Sequence, residues 1–243
     1  ADFARLWNDF CPDEIKIYPN QLLANAELYE YWQRGEFKPY TTQELIDLIA
    51  DVKPTIPRYC RVNRVIRDIP STNVVEGNRR TSLRQDVHNE MERRGTRCEC
   101  VRCREVRGKS VHPELLKLDD LVYQAGAAEE HFISYVTPDD RLAGFIRLSL
   151  PGKDSPKTGM SDLEGAALIR EVHVYGQSLP VGAEKAGAAE HAGLGTRLLE
   201  KAETLAKANG FKRMAVISAV GTRGYYLERG FERGELYLTK SLI

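Results

Sequence analysis

Leu194, Leu198, Ala202 and Leu205 recur at steps of four, four and three before Gly210, so the spacing predicts an amphipathic helix closed by a glycine. Upstream of that helix the period shortens to two. Residues 115–123, 132–136 and 141–150 alternate like strands, and the turn Pro138-Asp139-Asp140 joins the last two as a hairpin. Residues 168–175 read as a further strand, 214–218 as a buried one, 222–229 as a short helix and 235–240 as a final strand. Residues 151–160 form an exposed loop, and 176–191 a long connection of small residues. Nearer the N-terminus, Ile15, Ile17 and Tyr18 make a strand-like run ended by Pro19 and Asn20. Thr41 and Glu44 have capping-box spacing and start a helix with Leu45, Leu48 and Ile49 on its inner face. Val62, Val65 and Ile66 stand among arginines in 56–69, and 81–94 reads as a helix stopped by Gly95. The order of elements predicts an α/β protein without internal repeats.

With 42% hydrophobic and 29% charged residues, the chain has ordinary globular composition and is neither disordered nor a disulfide scaffold. No apolar run approaches the roughly 20 residues of a membrane helix, and the N-terminus lacks a basic segment followed by an apolar one, so neither export nor a membrane partner is expected. Five cysteines, three of them crowded together, point to a reducing compartment, with the cytoplasm as the expected location. The chain begins Ala-Asp-Phe without an initiator Met, which suggests a piece of something longer. Lys plus Arg and Asp plus Glu are equal at 35 each, so the whole molecule offers no electrostatic argument for a nucleic-acid partner. That neutrality conceals an asymmetry: residues 58–110 hold fourteen Arg and Lys against seven Asp and Glu.

Three groups of residues are suited to chemistry. In His191-Ala192-Gly193-Leu194-Gly195-Thr196-Arg197 a small-residue loop turns into the amphipathic helix, where the amides of Leu194 to Arg197 are expected to be unpaired donors suited to a pyrophosphate. A plain glycine-rich helix start is the competing reading. Cys98, Cys100 and Cys103 are too close in sequence to be unrelated core residues, and zinc is the metal that favours thiolate-rich, four-coordinate sites. The fourth ligand is open among Cys60, His112, His88, Cys11 and a group outside the chain. Arg79, Arg80, Arg84, Arg104 and Lys109 belong to the basic strip, which suits phosphate contacts with an RNA or, alternatively, a solvated face paired with the protein's own acids.

The strand Arg170-Glu171-Val172-His173-Val174-Tyr175, the glycine segment, the strand Ala215-Val216-Ile217-Ser218 and Gly221-Thr222-Arg223-Gly224-Tyr225-Tyr226 follow an order that resembles the GNAT acetyltransferase family. The longer motifs are more specific. Glu171 to Gly176, Ala215 to Ser218 with Val220 to Arg223, and Tyr225-Tyr226 resemble the acetyltransferase domain of the catalytic subunit of Elongator and its bacterial and archaeal relatives. So do Lys16 to Pro19, Arg64 to Pro70, Gly77-Asn78, Leu83 to Gln85 and Cys98 to Val106, which extends the resemblance over nearly the whole chain.

The resemblance implies a GNAT domain over 111–243, a basic cysteine-rich linker with a zinc site over 70–110, and in 1–69 a remnant of a radical-SAM domain. The missing remainder of that domain would be a partner, and S-adenosylmethionine with a 4Fe-4S cluster is implied only for the full-length protein. It implies acetyl-CoA binding and hydrolysis stimulated by tRNA, in an enzyme that builds a carboxymethyl-type group on the wobble uridine. Glu171, Val172, His173 and Val174 would line the pantetheine arm, and Gly193, Leu194, Gly195, Thr196 and Arg197 the pyrophosphate loop. Tyr226, with Tyr225 beside it, would face the thioester as a general acid, and His173 is either a polar site residue or a satisfied core histidine. Two features depart from the pattern: Glu190 stands where family members usually have Gln, and only 125–130 is available where two helices are expected. A protein lysine acetyltransferase and a non-catalytic tRNA-binding module are the alternative functions. Oligomeric state is not implied.

Overall fold

A computed structural model describes residues 2–107, 111–175 and 189–243, with side chains from 193 onward in the last stretch. Two compact units divide between Cys103 and Arg104, so the stretch expected to be a linker contributes residues 70–103 to the first unit. The reason is a buried helix: Leu83, Val87 and Met91 repeat at four residues and need a partner surface.

The first unit contains α1 (Asp2–Arg5), β1 (Glu14–Lys16), β2 (Gln21–Leu23), α2 (Leu28–Gln33), α3 (Thr42–Val52), β3 (Arg61–Arg64), β4 (Val74–Gly77), α4 (Leu83–Arg93) and the start of α5 (Val101–Arg104). β1 and β3 pair in parallel, and β2 and β4 antiparallel. The expected capping box opens α3: the Thr41 side chain accepts from the Glu44 amide, and the Glu44 carboxylate accepts from the Thr41 amide. Leu45, Ile49 and Ala50 form the buried stripe of α3, whereas Leu48, expected on the inner face, is exposed because it lies round the helix from that stripe. Arg94, just past α4, donates to Glu90 at 2.5 Å, to Asp51 at 2.7 Å and to Asp47, and so ties α4 to α3.

The second unit is built on a seven-stranded sheet in the order β10-β11-β9-β8-β7-β6-β5. Its strands are β5 (Lys117–Ala125), β6 (Ala128–Val136), β7 (Leu142–Pro151), β8 (Ala166–Val174), β9 (Arg213–Val216), β10 (Glu232–Arg233) and β11 (Leu238–Ser241). Every pairing is antiparallel except β8 with β9. The two helices expected between the first strands are replaced by a direct reversal at Gly126 and Ala127, where Gly126 takes φ 58°. The predicted turn at Pro138-Asp139-Asp140 joins β6 to β7, with Asp140 at φ 63°. α6 (Ala189–Ala208) lays Leu194, Leu198, Leu199, Ala202 and Ala206 into a core with Ile133, Ile146, Leu148, Ile169, Met214 and Val216. α7 (Arg223–Leu227) follows β9. The buried Asp162 carboxylate accepts the amides of Leu236 at 2.8 Å and Tyr237 at 3.0 Å, which fixes the loop between β10 and β11.

Two outcomes follow. Leu198→Ala should cost about 2–5 kcal/mol in a urea titration, because the fully buried side chain has no room to be replaced by solvent. The Arg93 guanidinium first, and Arg94 second, hold the Glu90 carboxyl at about 2 rather than its ordinary 4.5. Its folded value is depressed, so its contribution is complete above 4.5 and is lost as pH falls toward 2. Glu90→Gln should therefore lower the melting temperature at pH 7 and narrow its gap from wild type as pH falls through that window.

Candidate functional site

β9 accompanies β8 for only four residue pairs, from Ala166↔Arg213 to Ile169↔Val216, while β8 continues to Val174 along β7. The β7 register shifts where β8 reaches Arg170, so a bulge bends β8 at the point where it parts from β9. Beyond Ile169 the β9-facing edge of β8 has no strand partner among the described residues, and an extended ligand can take up its amides and carbonyls.

Alternation divides the side chains of that strand. Val172 and Val174 pack toward the core that α6 covers. Glu171 and His173 face the other way: Glu171 accepts from Arg147 Nε at 2.8 Å, and the His173 ring stacks on Phe145 at 5.9 Å. The Arg147 guanidinium lies 5.0 Å from the Phe132 ring centroid and 5.2 Å from that of Phe145, so its charge is held between two rings and a carboxylate. His173 is also in contact with Tyr175, at 4.4 Å between centroids. His173 and Glu171 thus lie on the opposite face of β8 from Val174, the residue of this strand that Tyr225 approaches.

The two tyrosines have different places. Tyr226 is 7% exposed, meets Phe231 edge-on at 5.6 Å, and has its phenol pushed up to about 12 by burial. It belongs to the core. Tyr225 reaches α6 instead: a Cβ added at Gly195 would stand 2.6 Å from its hydroxyl and 3.8 Å from Val174 Cγ2, so Gly195, Val174 and Tyr225 converge. The Tyr225 hydroxyl is buried there and makes no hydrogen bond.

α6 is already helical at Ala189, so the amides of Leu194–Arg197 lie inside the helix rather than among its free N-terminal donors. Gly193 is exposed and Leu194 buried, Arg197 lies over the Tyr135 ring at 4.6 Å, and Thr196 accepts hydrogen bonds from Arg229. Arg229 had not been singled out from the sequence. Its place four residues after Tyr225, just past the end of α7, is the signal that could have found it. The Glu190 and His191 side chains lie outside the described ones.

In the first unit, the sulfur atoms of Cys98, Cys100 and Cys103 all lie within 4.8 Å of one another. His88, one of the proposed fourth ligands, places Nε2 3.8 Å from Cys103 Sγ, and the fully buried Lys53 places its ammonium 3.4 Å from the same ring nitrogen. Hydrogen bonds from Cys103 and Cys98 hold the Cys100 thiol far down, at about 2, and the same bonds push Cys98 and Cys103 up. Three convergent sulfurs with an imidazole alongside are a donor set that zinc accepts.

Of the basic strip, Arg79 and Arg80 are exposed beside α4, Arg79 donating to the Val75 carbonyl and Arg80 paired with Asp86 at 3.0 Å. Arg84 donates to the Val62 and Asn63 carbonyls. Arg104 does not present its charge to solvent: it is 4% exposed and its guanidinium rests on Asp140 at 2.9 Å. Lys109 lies outside the described residues. Much of the local positive surplus is internally committed, with Arg58 and Arg97 on Glu99 and Arg64 on Asp68.

Residues 12–93 match the Radical_SAM C-terminal domain model, and residues 99–231 the Acetyltransferase (GNAT) family model. The chain is 40% identical to a tRNA uridine(34) acetyltransferase of Methanocaldococcus jannaschii over 96% of its length and 44% of that protein. It is 38% identical to the protein of the same name from Dehalococcoides mccartyi, over 96% of this chain and 51% of that one. Elongator complex protein 3 of Danio rerio is 38% identical over 96% of this chain and 43% of its own. The solved structure of archaeal Methanocaldococcus infernus Elp3 with an N-terminal deletion superposes with a TM-score of 0.87 at 35% identity, covering 98% of this chain and 58% of that one. The chain therefore spans about half the length of the curated relatives it matches. No helix among the described residues is long and apolar enough to cross a membrane.

Proposed function

The chain belongs to the acetyltransferase (GNAT) family, and from that premise we propose that it is the acetyl-CoA-handling part of an enzyme that modifies the wobble uridine of tRNA. The observation that carries the reading is the parting of β8 from β9 after Ile169, beside Gly195 of α6 and the unpartnered Tyr225 hydroxyl. Pantetheine is an extended chain with amide donors and acceptors, and the open edge of β8 supplies complementary backbone groups over Glu171 to Val174. Of the two tyrosines, Tyr225 has the hydroxyl available to hydrogen-bond or protonate the departing CoA thiolate, and Tyr226 supports it from the core. The relatives' printed names support a tRNA substrate, and the exposed side chains of Arg79 and Arg80 support phosphate contacts from the basic strip.

Cys98, Cys100 and Cys103, with His88 as the fourth ligand, would hold zinc, which there supplies a structural crosslink between α4 and the segment that follows it. Lys53 would offset part of the negative charge of such a thiolate site.

Acetyl-CoA hydrolysis by this chain, followed by release of free thiol, should rise when tRNA is added. Tyr225→Phe should reduce it about a hundredfold, the order expected for losing a general acid, and Tyr226→Phe should act chiefly on the melting temperature. No stimulation by tRNA, together with acetylation of a basic peptide, would establish the lysine acetyltransferase instead. Protein purified without chelator should contain about one zinc per chain, and Cys100→Ser should abolish it; a metal-free wild type would remove the zinc assignment.

A further inference from the structure

Arg229 stands two residues past the end of α7 and reaches both α7 and α6. Its Nε and Nη2 donate to Thr196 Oγ1 at 3.2 and 3.0 Å, and its Nη1 donates to the Tyr225 carbonyl at 2.7 Å. Its guanidinium carbon sits 3.7 Å from the centroid of the Tyr225 ring. The carboxylate of the exposed Glu228 is 3.9 Å from Nη1, too far for a hydrogen bond. The planar fork is therefore engaged on two elements at once, with the aromatic ring pressed against its flat face. A lysine can make a point contact at such a place but cannot reproduce the fork and the stack together.

The ring that this clamp holds carries the buried hydroxyl without a partner. Leaving such a group unpaired is costly, and an unheld side chain would swing about its Cα–Cβ bond to avoid that cost. Gly195 removes the Cβ that would exclude the hydroxyl, but an open space does not by itself keep a ring in it. The Arg229 stack and the Thr196 bonds do.

We propose that Arg229 is a positioning residue that locks the Tyr225 ring against α6, so that its hydroxyl waits unpartnered beside Gly195 for the sulfur of a thioester. This inference rests on the acetyl-CoA reading of the site and adds to it the residue that sets the tyrosine's orientation.

The test combines a rate, an affinity and a spectroscopic signature. Arg229→Met and Arg229→Lys should each lower the turnover of acetyl-CoA in the presence of tRNA by at least about tenfold, while the dissociation constant for CoA stays within about twofold. Thr196→Val, which removes one half of the clamp, should move turnover in the same direction by less. With 3-fluorotyrosine placed at position 225, the wild type should give one narrow fluorine resonance without ligand, and Arg229→Met a shifted or broadened one. An unchanged resonance in Arg229→Met overturns the proposal. So does full rescue by Arg229→Lys, which would make charge rather than orientation the cause, or a parallel loss of CoA affinity and melting temperature, which would make the role merely structural. If wild type neither binds CoA nor turns over acetyl-CoA, the reading of the site fails, and the fluorine comparison still reports whether Arg229 orders the ring.

Discussion

Every amide and carbonyl of a β-strand needs a partner, and β9 provides them to β8 only as far as Ile169. The bulge at Arg170 is where the strand turns away from that partner, and β8 goes on pairing with β7 beyond it with the register shifted by one residue. Most of what is distinctive in the second unit depends on this one incomplete pairing. It leaves a stretch of edge in the middle of a sheet, where edges are normally absent, and it does so next to a helix whose second turn contains a glycine. The pantetheine reading, the place of Gly195 and the value of a fixed Tyr225 all follow from it.

Charge is managed in each unit by local pairing rather than by a long-range field. Arg147 is almost completely buried, yet it has Glu171 and two aromatic faces around it. Arg170, at the bulge, is matched by Glu130 at 2.8 Å, and Arg94 is shared among three carboxylates of α3 and α4. A buried charge stripped of its partner is costly, so these residues read as parts of the scaffold, and one of them, Arg94, lies in the segment whose composition suggests RNA. Among the described residues of that segment, Arg79 and Arg80 keep exposed side chains, the second of them paired with Asp86.

What the sequence revealed tracked the range of the interaction concerned. The capping box at Thr41 and Glu44, the turn at Asp140 and the repeat through Leu198 are set by residues within a few positions of one another, and the structure has all three. The motif order also placed the open strands and the glycine segment in one domain. Tyr225 and Tyr226 could not be told apart in that way, because adjacent residues on a short helix point in different directions and only the position of Phe231 and α6 decides which ring is buried. Arg104 was misread because its carboxylate partner, Asp140, arrives from a hairpin far along the chain. His88 comes within 3.8 Å of Cys103 only because α4 carries its ring there, a proximity that the sequence does not encode.

Gly195 has a consequence for how this segment tolerates change. Glycines at the start of such a helix are ordinarily taken as room for an anion, yet here the hydrogen that replaces a side chain borders a tyrosine hydroxyl. Selection for activity would keep this glycine even under conditions where no phosphate ever touched it. A mutational screen that found both Gly193 and Gly195 invariant would therefore be recording two separate requirements, since a methyl group at Gly193 meets nothing among the described residues, and the neighbouring glycines would diverge once the tyrosine was removed.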